Sequence, residues 1–205
     1  MTIADNKLIY VTDPMCSWCY GFSPEISEVV EKVKDKCSLE LVMGGLRPYN
    51  TETMKELGGF LSKHWHHVEE RSGQTFNYTI LEDHTFVYDT EPPARATVVV
   101  RHLKPEVEFA FFKKVQLAFY AENKNTNLLE TYLPIAQQFE INKVQFAEAF
   151  ESDAMKQAVR NDYEKAAEWG VAGFPTLIWK NEDQFKLLAR GYTDASILIK
   201  QIELL

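Results

Sequence analysis

Apolar and polar positions follow two different periods along the chain. Residues 8–11 form a short apolar run rich in branched and aromatic side chains, which is typical of a buried strand. Downstream, Ile26, Val29 and Val33 share one face of a helix. Residues 39–43 form a second apolar run, so one helix connects two strands that are close in sequence. This order predicts a parallel strand pair with a right-handed crossover.

The pattern becomes helical in the middle of the chain. From residue 50 to residue 169, apolar side chains recur three or four positions apart, as Leu57, Leu61 and Trp65 do. Such stripes are typical of helix faces that pack against a core. We therefore predict a helical subdomain over residues 50–169.

The end of the chain returns to strands. Residues 176–180 and 185–189 lie on either side of a polar turn, which predicts an antiparallel hairpin, and a last helix follows. Together with the first strand pair, this hairpin predicts one sheet domain that consists of residues 1–49 and 170–205. The helical subdomain is then an insertion into that domain.

Two of the three cysteines fall where the first strand ends and the first helix begins. Unpaired backbone N–H groups at a helix start favour an anion, so we expect Cys16 to lose its proton more readily than a free thiol. Cys19 lies one turn later, close enough to form a disulfide with Cys16. Ser17 and Trp18 stand between them, where they would tune the redox balance. A strand followed by C-x-x-C and a helix indicates a dithiol redox site.

Two other interpretations of the cysteine pair are weaker. Zinc usually takes four ligands, but the remaining cysteine, Cys37, stands alone at the end of the predicted helix, where a small buried filler is expected rather than a resolving thiol. His64, His66 and His67 are close in sequence, yet no carboxylate or cysteine follows at a ligand spacing, so we expect them to face solvent. Cysteines that only fill a core remain the other alternative. We predict no metal and no cofactor besides a redox-active Cys16–Cys19 disulfide.

Motifs far apart in the chain carry a family resemblance. Pro24 follows Cys19 by five residues, and Phe174-Pro175-Thr176 precedes an apolar run. These features resemble the thioredoxin superfamily, and the stretches DPMCSWCYGF, GGLRP, PPARA and GVAGFPT resemble the DsbA family, specifically its FrnE-like branch. The resemblance implies an α/β fold with a thioredoxin-like mixed sheet and an inserted helical subdomain. It also implies a cis bond before Pro175, with Phe174 and Pro175 as a platform for an extended substrate.

The resemblance implies a thiol-disulfide oxidoreductase of the reductase or isomerase type. In this hypothesis the Cys16 thiolate attacks a substrate disulfide, and Cys19 resolves the mixed disulfide. Ser17 and Trp18 bring no positive charge, so we expect a milder oxidant than the strongly oxidising periplasmic members. Asp13 would oppose the thiolate if it were close, but we expect an exposed loop aspartate.

Composition and charge narrow the classes of partner. The chain has 205 residues, with 22 basic and 30 acidic side chains and a net charge of −8, which argues against a nucleic-acid binder. No apolar run approaches the length of a membrane span, and residues 1–7 lack the pattern of a secretion signal, so we expect a cytoplasmic protein.

Disulfide- or thiol-containing proteins or small thiols are the expected substrates, with an unknown redox partner. Arg47 could serve an anionic group, although a surface or salt-bridging role is expected.

Two alternative functions stay open. Some DsbA-like proteins are adaptors that bind other proteins, and intact binding by a Cys16→Ala, Cys19→Ala variant would favour that alternative. A glutathione-dependent isomerase or transferase of the same superfamily is the other. Those enzymes generally have serine at the catalytic position, so the presence of both cysteines counts against it. Substrate, redox direction and oligomeric state are not determined by the sequence.

Overall fold

A four-stranded mixed sheet forms the centre of the molecule. The computed structural model describes residues 6–205, so most of residues 1–7, on which the expectation about a secretion signal rests, lie outside it. The strand order is β2-β1-β3-β4, with β1 parallel to β2 and antiparallel to β3, and with β3 and β4 paired as a hairpin. The predicted parallel pair, hairpin and mixed sheet are confirmed. The strands are β1 (Lys7–Thr12), β2 (Ser38–Met43), β3 (Thr176–Asn181) and β4 (Gln184–Arg190).

Helices surround the sheet, and most of them lie between β2 and β3 in the chain, as predicted. No helix within residues 6–205 is both long and apolar enough to cross a membrane. The helices are α1 (Ser17–Gly21), α2 (Ser23–Val33), α3 (Met54–Ser72), α4 (Glu91–Leu103), α5 (Glu108–Tyr120), α6 (Leu129–Gln138), α7 (Lys143–Glu151), α8 (Asp153–Glu168) and α9 (Ala195–Glu203), with short 3-10 turns at Tyr78–Glu82 and Pro105–Val107.

The two faces of the sheet bury different residues of β1. Because side chains alternate along a strand, Leu8 and Tyr10 point into one apolar cluster, while Ile9 and Val11 point into another that includes Ala166 of α8. The first cluster also contains residues of α2, α4, α5 and α9. The sheet and several inserted helices therefore share one core. The division of the chain at residues 49/50 and 169/170 into two units stays a prediction.

A third cluster, which is rich in aromatic side chains, packs α3 against α1 and α5. Trp65 of α3 is fully buried, and its ring lies 5.1 Å from that of Tyr120 and 5.4 Å from that of Phe76, measured between centroids. The Tyr20 ring of α1 stacks on Tyr120 at 4.7 Å. Aromatic contacts of this kind add to the free energy of burial. The short helix that follows Cys16 is thus held by the inserted helices as well as by the sheet.

Arg101 of α4 links four elements at the edge of the sheet. Its guanidinium donates to Glu108 of α5 at 2.8 Å, to Asp162 of α8 at 3.0 Å and to the Leu41 carbonyl of β2 at 2.9 Å. Asp162 also accepts the Met43 N–H at 2.9 Å. Burial raises the pKa of Glu108 to about 7, and the arginine opposes that shift. The positive charge of Arg101 offsets the free-energy cost of burying these two carboxyl groups close together.

Replacing Arg101 should destabilise the fold. We expect Arg101→Met to lower the free energy of unfolding by roughly 2–4 kcal/mol, because it leaves two largely buried carboxyl groups without their cation. Lys156→Met is the control, since Lys156 makes a surface pair with the exposed Asp153 and should change stability little. Urea unfolding measures both variants. An equal, small effect of the two substitutions would contradict the linking role of Arg101.

Candidate active site

Cys16 caps the short helix that follows β1. It is the N-cap residue of α1, and that five-residue helix ends at Gly21. Pro24 is the second residue of α2, so the proline lies at the start of a new helix instead of bending a longer one. This arrangement places Cys16 at the beginning of α1 and Cys19 within its first turn.

Both thiols of the C-x-x-C segment are free and buried. Cys16 is 5% exposed and Cys19 is fully buried, so Cys16 is the more accessible of the two. The Cys16 sulfur accepts the Cys19 N–H at 3.3 Å. The Cys16 thiol also donates to the Phe174 carbonyl at 3.6 Å, across 158 residues of chain. A single turn of helix therefore carries both thiols, which is the spacing that a disulfide between them requires.

The segment around Phe174 lies directly against the thiol pair. The Phe174–Pro175 peptide bond is cis, as the resemblance implied. The Phe174 ring packs on Gly44, at the end of β2, so closely that a Cβ atom at Gly44 would lie 2.0 Å from the ring. Gly44 thus leaves the space in which Phe174 can present its carbonyl to Cys16.

The electrostatics of Cys16 differ from the expectation. Burial is the main influence and raises the pKa of the Cys16 thiol well above 9, and the neighbouring Cys19 raises it further. The Cys19 N–H lowers it, while the charge of Asp13 raises it. The expectation that Cys16 loses its proton more readily than a free thiol is therefore wrong for this structure. The reason is that a five-residue helix offers few N–H groups, and desolvation of the thiolate outweighs them.

Asp13 is buried, so the expectation of an exposed loop aspartate is also wrong. Its carboxylate accepts the Met15 N–H at 2.9 Å and the Leu46 N–H at 2.8 Å. It therefore joins the turn before Cys16 to the segment that follows β2. Burial raises the pKa of Asp13 to about 6, although the Leu46 and Met15 N–H groups oppose the shift. An aspartate that accepts the N–H two residues later is a common turn motif, and that signal could have identified it.

Two tyrosines from distant parts of the chain hold the same turn. The hydroxyl groups of Tyr88 and Tyr120 both donate to the Met15 carbonyl at 2.5 Å, and both rings are buried. Tyr88 precedes α4 and Tyr120 ends α5. No local sequence pattern relates them to Met15, so sequence reasoning missed them.

The residues between the cysteines have separate surroundings. Ser17 is buried, whereas Trp18 is half-buried and lies edge-on to His64 of α3 at 6.1 Å and to Tyr192 at 6.2 Å. Burial lowers the pKa of His64, and His67 adds to that effect. His64 is thus half-buried beside the dithiol segment, so the expectation that it faces solvent is wrong.

The other residues singled out in the sequence lie apart from the thiol pair. His66 and His67 are exposed, as expected, and the described part of the chain holds no group of three side chains that could bind a metal ion. Arg47 pairs with Glu52 at 2.5 Å, in line with a salt-bridging role. Cys37 is buried in the main core, and burial raises the pKa of its thiol to about 11, which is typical of an unreactive filler.

Comparisons with known proteins agree with this geometry. The family model described as thioredoxin matches residues 9–200. The structure of a candidate protein disulfide isomerase from Nitrosomonas europaea is 31% identical, covers 98% of this chain and 97% of its own, and superposes with a TM-score of 0.91. No curated protein matches the chain.

Two further structures share the fold at lower identity. The cytosolic disulfide reductase DsbM from Pseudomonas aeruginosa is 23% identical over 97% of both chains, with a TM-score of 0.83. A structure of the same reductase with GSH is 24% identical, covers 97% of this chain and 98% of its own, and has a TM-score of 0.79.

The close packing at Gly44 should be sensitive to one methyl group. We expect Gly44→Ala to lower the free energy of unfolding by roughly 1–3 kcal/mol, because the new Cβ collides with the Phe174 ring. Gly59→Ala is the matched control: Gly59 lies in α3 with open space at its Cβ, so alanine should stabilise the helix by about 0.5–1 kcal/mol. Thermal and urea unfolding measure both. A neutral Gly44→Ala would contradict the tight contact.

The raised pKa of Asp13 should appear in the pH dependence of stability. As the pH falls from 7 to 4, the native state takes up a proton at Asp13 before the unfolded chain does, so this group adds stability at the lower pH. We expect the unfolding free energy of the wild type, minus that of Asp13→Asn, to rise by up to about 3 kcal/mol over that range. Denaturant unfolding at several pH values measures it. A constant or falling difference would show that the pKa of Asp13 is not raised.

Proposed function

We propose, because this chain belongs to the thioredoxin family, that Cys16 is the nucleophile and Cys19 the resolving thiol of its redox site. The chain is a thiol-disulfide oxidoreductase with the DsbA-type version of the fold. One observation carries the assignment of roles: within one helical turn, Cys16 is the more exposed thiol, and its sulfur accepts the Cys19 N–H at 3.3 Å.

The first step forms a mixed disulfide. The Cys16 thiolate attacks one sulfur of a substrate disulfide, so that a Cys16–substrate bond forms and the other substrate sulfur leaves as a thiolate, which takes up a proton. Because Cys19 is fully buried, an incoming substrate meets Cys16 first. The Cys19 N–H at the Cys16 sulfur supports the thiolate during attack.

The second step releases the product. The Cys19 thiolate attacks the Cys16 sulfur, the Cys16–Cys19 bond forms, and the remaining substrate sulfur leaves. Two electrons pass from the dithiol to the substrate. Run backwards, the same steps oxidise a substrate dithiol, so the reduction potential decides the direction.

We propose that the physiological direction is reduction or isomerisation. A thiolate that the protein does not stabilise favours the disulfide form of the site and makes the dithiol a better reductant. Burial and the charge of Asp13 both act against the Cys16 thiolate. Ser17 and Trp18 add no positive charge, and we propose that they tune the potential in the same sense.

We propose that Phe174 and Pro175 form the substrate platform. The position of this segment supports the proposal. The Phe174 carbonyl lies 3.6 Å from the Cys16 sulfur, so a substrate chain bound along the segment would bring its own sulfur to Cys16. The Phe174 ring, packed on Gly44, fixes that carbonyl in place.

We further propose that the protein works in a reducing compartment such as the cytoplasm, on protein disulfides or on small thiols. A reducing dithiol site suits that environment. The similar structure described as a cytosolic disulfide reductase, and its form with GSH, support the compartment and make glutathione the natural probe. The site needs no cofactor beyond its own dithiol in this scheme.

Equilibration against a series of glutathione mixtures tests the roles of the cysteines. We expect a reversible two-electron transition in the wild type, no transition in Cys16→Ser, and a persistent glutathione mixed disulfide in Cys19→Ser. Thiol trapping followed by mass measurement detects all three forms. Cys37→Ser is the matched control and should retain the wild-type transition, because Cys37 lies in the core.

The position of the transition tests the direction. A potential below that of the cytoplasmic glutathione pool would support reduction, and one well above it would show an oxidant. If the folded wild type shows no transition and neither thiol of the pair reacts, the assignment of Cys16 and Cys19 is wrong.

A further inference from the structure

Tyr10 lies near the centre of β1, the strand that leads to the dithiol segment. It is fully buried and lies opposite Leu41 of β2 and Leu177 of β3. Its ring packs edge-on against Phe22 at 6.0 Å and Phe112 at 6.1 Å. All of these neighbours are apolar, so a phenylalanine would satisfy the packing of the ring. The packing does not explain the hydroxyl group.

The Tyr10 hydroxyl is buried without a hydrogen-bond partner among residues 6–205. The Thr12 hydroxyl, two positions later and therefore on the same face of β1, is in the same condition. An unpaired hydroxyl in the interior is destabilising, because folding removes its hydrogen bonds to water. Two such hydroxyl groups lie on one face of β1, next to the redox site. This placement indicates a function in a charged state of the thiols rather than in the neutral dithiol.

The polar groups next to this hydroxyl are the two thiols and the Thr12 hydroxyl, which lowers the pKa of the phenol. Phe22 directly follows α1, so its contact with the Tyr10 ring brings α1 and Cys19 close to β1. After burial, the nearby Cys19 thiol is the strongest influence on Tyr10 and raises the pKa of the phenol; Cys16 acts in the same sense more weakly. The phenol therefore keeps its proton at neutral pH and can donate it in a hydrogen bond. Cys19 is a candidate acceptor, because it is the strongest of these neighbours in its effect on the phenol.

We infer that the Tyr10 hydroxyl donates a hydrogen bond to the Cys19 sulfur when that sulfur is a thiolate, and thereby speeds the resolving step. This inference rests on the proposed function, because it requires Cys19 to be the resolving thiol. In the neutral dithiol the sulfur atoms are only weak acceptors for this hydroxyl. Once Cys19 is charged, the buried donor faces a negative sulfur that water cannot reach.

The step balances without a further reactant. In the mixed disulfide, Cys19 gives up its proton and attacks the Cys16 sulfur. The Cys16–Cys19 bond forms, the Cys16–substrate bond breaks, and the substrate sulfur leaves as a thiolate that takes up the released proton. The dithiol loses two electrons and the substrate gains them. Tyr10 keeps its own proton throughout and acts only as a donor.

Tyr10→Phe tests the inference, because it removes the hydroxyl and keeps the ring. The wild type and the variant, both fully reduced, are mixed with glutathione disulfide, quenched with acid at intervals and weighed by mass spectrometry. We expect the Cys16–glutathione mixed disulfide to persist about 10- to 100-fold longer in the variant, as for loss of a hydrogen bond to a charged group. Its rate of formation should change less than about twofold, and its stability should stay equal or increase.

Tyr163→Phe is the matched control. The Tyr163 hydroxyl is also buried without a partner among residues 6–205, but it belongs to α8 and its ring lies on Gly45. Removing it should leave the lifetime of the mixed disulfide unchanged. This control separates a specific effect at Cys19 from the general effect of deleting an unpaired buried hydroxyl.

The outcomes distinguish this inference from the proposed function. An unchanged lifetime in Tyr10→Phe, with a wild type that forms and resolves the mixed disulfide, overturns the role of Tyr10 alone. Equal slowing of both steps together with lower stability overturns it as well, since that result indicates a structural role. A wild type that never forms the mixed disulfide refutes the proposed function first.

Discussion

The turn that leads to the C-x-x-C segment, residues 13–16, is buried, so its polar groups must form hydrogen bonds with other groups of the protein. The Asp13 carboxylate accepts two backbone N–H groups, the Met15 carbonyl accepts two tyrosine hydroxyls, and the Cys16 sulfur accepts the Cys19 N–H. Most of these partners come from outside the turn: Leu46 follows β2, Tyr88 precedes α4, and Tyr120 ends α5. A buried polar group without a partner costs more free energy than one hydrogen bond contributes. These hydrogen bonds therefore favour a single geometry of the turn.

Burial of this turn also determines how readily the Cys16 thiol loses its proton. Water that would stabilise a Cys16 thiolate is largely excluded, and the nearby Asp13 carboxylate adds a like charge. The remaining support is one N–H group from Cys19. The balance favours the neutral thiol over the thiolate, and this supports the proposal that the site acts as a reductant.

The inserted helices contribute directly to this environment. Tyr120 ends α5, Tyr88 lies just before α4, and the aromatic cluster around Trp65 holds α3 against α1. His64 of α3 lies beside Trp18, between the two cysteines. The helical region therefore forms part of the wall of the redox site as well as the shared core. It also explains why the short α1 is stable although it has only five residues.

Motifs far apart in the chain carried the family resemblance. The sequence by itself also determined the order of the elements, the pairing of β1 with β2 and of β3 with β4, and the position of Cys16 and Cys19 at the start of a helix. These features depend on periodicity and short spacings, which are properties of neighbouring residues. Only the tertiary structure decided that Asp13 is buried, that the Phe174 carbonyl accepts from the Cys16 thiol, that the pKa of Cys16 is raised, and that the Tyr10 hydroxyl has no hydrogen-bond partner within residues 6–205. Desolvation depends on every atom packed around a group, and most of those atoms belong to residues far away in sequence.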